Sequence, residues 1–198
     1  VSRQVRGQVA AAAAEAAPLL GLELARRLEP GSERLAALRR AGLSLLGQDL
    51  AAGRALLAEA ADQLPLVASQ PERALAAACL AQDLAGLDPE LALDLMNQLP
   101  PGAVFLRGRV AEALLPALAS RSLDQARAMA EAIADPGWRA LALARLAGIH
   151  LERRETGPGL ALAGAAMELA KTHDSPKAME YLAKIWAAPD PRKGVDIA

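Results

Sequence analysis

The sequence predicts an all-α fold, an α–α solenoid of about five stacked antiparallel helix hairpins. Three observations carry that prediction. First, a run of small and apolar residues at helical spacing ends in a Pro-bearing turn and then begins again. The clearest copies are Asp88 to Gly102, Leu123 to Gly137 and Leu160 to Pro176. Self-similarity at about 30–40 residues marks stacked helix pairs, because one pair alone cannot bury its apolar stripe. Second, Ala is about a quarter of the 198 residues, whereas Thr occurs only at Thr156 and Thr172 and Asn only at Asn97. Ala and Leu are the best helix formers, and little β-branched material remains for a sheet. Third, the segments between apolar-periodic runs are about two to six residues long, which makes consecutive helices antiparallel neighbours.

The first helical stretch covers 2–28 and is kinked or broken near Pro18, which removes a hydrogen bond inside a helix. Further helices are expected over 32–47, 49–64, 71–86, 88–99, 103–118, 122–134, 136–152, 158–172 and 175–187. Their starts are written in capping chemistry. Asp88-Pro89, Asp135-Pro136 and Ser175-Pro176 each place a capping oxygen before Pro at the first helical position, where the missing N–H costs nothing. Ser69 with Glu72, and Ser122 with Gln125, have capping-box spacing. Pro116 is expected to bend or stop its helix. Small residues after basic helix starts, Ala76, Ala142 and Ala147, are expected at helix–helix contacts. The whole forms one helical-repeat domain: 1–28 as N-terminal capping helices, 29–187 as the array, and 188–198 as an extended or mobile tail. A start at Val1 and a stop at Ile197-Ala198 fit a segment of a longer polypeptide.

The stretch Leu143-x-x-Leu146-Ala147-x-x-His150, followed by Ala163, Met167, Ala170 and Pro176, resembles a degenerate tetratricopeptide repeat with a loop insertion at Arg153 to Pro158. The unit before it fits the same motif through Ala113, Leu114, Ala117, Ala126, Ala130, Ile133 and Pro136, and the turn at Asp135 to Arg139 is similar to HEAT repeats. This resemblance covers most of residues 30 to 187. It implies a right-handed superhelix and a protein- or peptide-binding scaffold. Some members of the class clamp a partner's terminal carboxylate with Lys and Asn side chains. One Asn and four Lys, three of them in the last stretch (Lys177, Lys184, Lys193), leave no material for such a clamp here.

The chemistry-bearing patterns point away from catalysis. The net charge is −1, and the Arg pairs Arg26-Arg27, Arg39-Arg40 and Arg153-Arg154 read as solvated helix faces, with no basic stripe interleaved with aromatics for nucleic acid. Cys79 stands alone in an Ala/Leu run and reads as a small buried hydrophobe. His150, followed by Glu152 and Glu155, could supply a metal ligand or an acid–base group. Only two His occur, however, and a helix C-terminal His is the ordinary reading. Gly157-Pro158-Gly159 lacks the N–H of Pro158 that a phosphate cradle would use, so it reads as a loop that restarts the array. No apolar run reaches the ~18 residues of a spanning helix. Glu15, Pro18 and Glu23 interrupt the signal-like charge pattern of the N-terminus, so a cytoplasmic location is favoured over a secreted or periplasmic one.

The function expected is therefore non-catalytic binding without metal or cofactor; the alternative is a helical accessory domain of a larger enzyme or assembly. If helices 32–47, 71–86, 103–118, 136–152 and 175–187 line the inner curve, as the tetratricopeptide resemblance implies, their inward residues are Leu43, Gln82, Leu115, Leu151 and Trp186. That mostly apolar set suits an amphipathic helix or an apolar segment of a protein or peptide, with Trp186 as anchor.

Overall fold

A computed structural model of the protein describes residues 2–187, and the tail beyond Ala187 lies outside the described residues. These residues form helices and turns, with no strand among them. The broken first stretch resolves into α1 (Arg3–Ala16) and α2 (Pro18–Arg26), with Pro18 opening the second helix. Then come α3 (Ser32–Leu45), α4 (Leu50–Ala61), a 3₁₀ turn at Leu64–Leu66, α5 (Gln70–Leu84), α6 (Pro89–Asn97) and α7 (Val104–Arg121). The chain ends in α8 (Leu123–Glu131), α9 (Pro136–Glu152), α10 (Thr156–Thr172) and α11 (Pro176–Ala187). Two expectations are corrected. The helix carrying Pro116 does not stop there but runs on to Arg121. Gly157-Pro158-Gly159 is no loop: it forms the first turn of α10, where Pro lacks an N–H that the helix would leave unpaired anyway.

The starts follow the capping chemistry. Ser69, Asp88, Ser122 and Asp135 accept from the backbone N–H three residues on, at 2.8–3.4 Å. Asp49 does the same for Ala52. Ser175 has a different use: its hydroxyl donates to the carbonyl of Gly137 at 3.2 Å and ties the start of α11 to that of α9. One turn recurs before α4, α6 and α8, where the N–H of Asp49, Asp88 and Ser122 donates to the carbonyl four residues back at 2.7 Å. The last two turns differ. Glu155 N–H donates to His150 O and Ser175 N–H to Ala170 O, closing helix C-termini over Arg154 and Asp174 with φ of 63° and 46°. That is the Schellman arrangement, with Arg and Asp where Gly is usual. Arg73 and Arg139, four residues past the Ser69 and Asp135 caps, each donate through Nε to the carbonyl six residues back (Val67, Ile133) at 3.1 and 2.8 Å. Each thereby ties the preceding link to its helix.

The chain divides between Leu106 and Arg107 into two compact units. In the first, α1 packs on α2 and α3, α3 on α4 and α5, and α5 on α4 and α6. Its core holds Leu38, Leu57, Leu80 and Leu84, all fully buried among alanines. In the second, α9 packs on α8, α10 and α11, and α10 also touches α11. Val110, Leu114, Leu115, Leu146 and Leu182 are among its fully buried side chains. Every one of these contacts joins elements that are close in sequence, as expected when each helix buries its apolar side on its immediate neighbours. Ala142 and Ala147 lie at such contacts, fully buried, whereas Ala76 is only half-buried.

Where α3 crosses α4 the backbones nearly touch. A Cβ on Gly42 would stand 3.0 Å from Gly53 O, and one on Gly53 2.9 Å from Gly42 O and 2.7 Å from Leu46 Cδ2. Gly53→Ala should therefore destabilise the protein by about 1–3 kcal/mol through overpacking, even though Ala is the better helix former by about 1 kcal/mol. Gly86→Ala, with nothing within 4 Å of the added methyl, should be neutral or stabilising. Urea titrations followed by circular dichroism separate the two, and equal midpoints would contradict the close crossing.

Candidate functional site

The five residues expected to line a groove fall in both units, Leu43 and Gln82 in the first and Leu115, Leu151 and Trp186 in the second. Leu115 is 0% exposed and sits in the core of the second unit, which removes it from any binding surface. Leu151 is half-buried at the end of α9, against α10, where its Cδ2 would lie 2.8 Å from a Cβ on Gly159. Leu43 is 36% exposed on α3, one turn beyond Arg39, and Gln82 is half-buried on α5 beside Asp83. Trp186 is 50% exposed near the end of α11. At about 100° per residue, the buried Ala178 and Leu182 fix the packed side of α11. Lys177, Tyr181 and Lys184 then fall on one flank, and Met179 and Trp186 on the other.

The Lys177 flank is where the second unit builds a cleft. Glu112 of α7, Leu141 and Arg145 of α9, and Lys177, Glu180, Tyr181 and Lys184 of α11 line it. Arg145 Nη2 pairs with Glu112 Oε1 at 2.5 Å, and its guanidinium lies 5.4 Å from the centre of the Tyr181 ring. Lys177 Nζ stands 5.4 Å from the Trp138 ring, a cation held by an aromatic face. Lys184 pairs with Glu180 at 2.7 Å, one turn back on the same helix. Both are largely exposed, so that pair contributes little and opens easily. It holds Glu180 below the usual carboxylate range, chiefly through the Lys184 hydrogen bond. With three cations against two carboxylates, the cleft carries an excess positive charge.

The first unit offers a counterpart ion pair. Arg39 of α3 grips Asp83 of α5 through Nε at 2.5 Å and Nη2 at 3.2 Å, a two-pronged bond across neighbouring helices. The Asp83 hydrogen bond raises the Arg39 pKa above its ordinary value despite the opposing cost of burial. Cys79 is half-buried rather than enclosed.

A second cleft in the C-terminal unit lies among α8, α9 and α10, with His150 at its lining. His150 is 9% exposed, and its Nδ1 lies 2.6 Å from Glu155 Oε2, across the turn that ends α9. Among the described residues no three His, Cys, Asp or Glu side chains gather as a metal site. No helix among them is long and apolar enough to cross a membrane. No protein-family model matches the chain, and neither does a curated protein or a solved structure.

The charged cleft has a signal in the sequence. Lys177, Tyr181 and Lys184 recur at i, i+4 and i+7, a polar stripe that a search for apolar stripes passes over. Leu115→Ala should cost about 2–5 kcal/mol in stability through the cavity it leaves. Leu43→Ala, at a partly exposed site, should cost about 1 kcal/mol or less. Chemical denaturation of both variants checks this, and a small loss at Leu115 would return it to the surface.

Proposed function

We propose that the chain is a non-catalytic scaffold whose helix pairs stack as an α–α solenoid and hold a protein or peptide segment. The observation that carries this reading is the cleft along α7, α9 and α11. Its lining presents Arg145, Lys177 and Lys184 beside an aromatic ring, with Leu141 as an apolar contact. Side-by-side packing of α9 on α11, like that of α1 on α3 and α3 on α5, supports the repeat reading. Such packing sets alternate helices next to one another and lines a surface with their flanks.

The charged lining changes the partner expected. In place of an apolar segment anchored on Trp186, the cleft suits a segment carrying Asp or Glu next to an apolar side chain, with the acid on Lys177 or Lys184 and the apolar group on Tyr181 and Leu141. Cations and aromatic rings so placed give orientation and on-rate more than bulk affinity.

A random-peptide display selection against the protein tests this. Peptides rich in Asp and Glu should be enriched and should bind more weakly as salt rises. The double variant Lys177→Glu, Lys184→Glu should lose about tenfold or more in affinity, roughly 1.4 kcal/mol, while Trp186→Ala binds as the parent does. Peptides without acidic enrichment, or binding that survives the double charge reversal, would rule the cleft out.

A further inference from the structure

We infer that the cleft among α8, α9 and α10 is a second binding site, one that takes an ammonium or guanidinium group borne on an apolar stem. The cleft has a volume of about 330 Å³, within the range of small-ligand sites. Leu143 of α9 and Pro158, Ala161, Leu162 and Ala165 of α10 give it an apolar wall, and α8 closes the far side with Leu123, Asp124, Arg127 and Glu131. On α10, Ala161 and Ala165 stand one turn apart and exposed, and their small side chains leave the cleft open.

The polar group within this apolar lining is His150. Glu155 can only accept, so in the neutral ring Nδ1 must carry the proton that bonds to it. Nε2 is then a lone-pair acceptor. It makes no hydrogen bond among the described residues, yet it is not sealed from solvent, and the ring that carries it lines the cleft. The residue is nine-tenths buried, and the cleft that it lines offers a ligand a way to the ring.

Charge selects the ligand's sign. Asp124 and Glu131 line the cleft against one cation, Arg127, which Glu131 already holds at 2.8 Å, while Glu155 is taken up by His150 Nδ1. The surplus is negative. A donor for Nε2, a positive charge for the rim and a hydrocarbon stem for the wall are properties of one chemical class. A Lys or Arg side chain of a partner has them, and so does a free alkylamine.

The test is an NMR titration of the full chain, with the His side chains observed at a pH where the ring nitrogen shifts report the neutral form. The chain has only two His, so His173, which does not line the cleft, is the internal control. The probes are n-hexylamine, n-hexanol, hexanoate and a short end-blocked peptide carrying one lysine between leucines. Saturable movement of the His150 signals with the amine, and not with hexanol or hexanoate, is the expected result. Movement with the peptide as well assigns the site to a partner side chain, and movement with hexylamine alone assigns it to a free amine. The double variant Asp124→Asn, Glu131→Gln, altered only on the rim, should weaken amine binding about tenfold while His150 keeps its unliganded shifts. No His150 movement with either amine probe, equal movement with hexanol, or unchanged affinity in the rim variant would overturn the site.

Discussion

Helices in this protein pack almost backbone to backbone, and the rest of the structure depends on that approach. The extreme case is α9, where Ala140, Leu141, Ala142, Leu143 and Ala144 are buried in unbroken succession, followed by Leu146, Ala147 and Gly148. A helix buried on nearly every side needs neighbours on every side, and α8, α10 and α11 supply them. Small side chains make this possible, because a methyl group or a hydrogen leaves room for the next helix. Gly108 shows the tolerance: a Cβ there would lie 2.5 Å from the Trp138 ring. Packing this tight answers for volume changes of a single methylene.

Close packing also places the polar groups. With the buried surface supplied by Ala and Leu, several Arg side chains tie backbone and helix ends. Arg73 and Arg139 secure the links before their helices, and Arg153 Nη2 reaches Ala119 O at 2.8 Å. Others bond a carboxylate on another helix: Arg26 and Arg34 reach Glu59, Arg40 reaches Glu15, Arg39 grips Asp83 and Arg145 pairs with Glu112. The two clefts described above lie on different flanks of α9, one carrying excess positive charge and the other negative. Both rest on the same buried helix, so their walls are held by packing, and the pairs of charges on their rims add orientation.

Element boundaries were legible because they are local chemistry. Ser69, Asp88, Ser122 and Asp135 cap where their side chains can reach a free N–H, and no tertiary information is needed to see it. Pro116 does not end its helix, because the local propensity argument cannot see that Leu114, Leu115 and Ala119 around it are buried. Leu115 and Trp186 were placed on an inner surface from helical register. Register works when one stripe is apolar and the rest polar, but Ala-rich helices with several neighbours bury more than one stripe, and the apolar pattern then no longer says which flank faces out. The His150–Glu155 contact needed the fold of the turn at Arg154, whose positive φ brings two residues five apart into hydrogen-bond range. Sequence spacing alone does not announce it.

Native-state hydrogen exchange of the C-terminal unit tests most directly whether close packing around α9 organises it. Amides from Ala142 to Leu146 should be the slowest in that unit, exchanging only in its largest openings, while those of α8 and α11, packed on fewer neighbours, exchange through smaller ones. Protection in α9 no greater than in α8 or α11 would contradict a unit built around one enclosed helix.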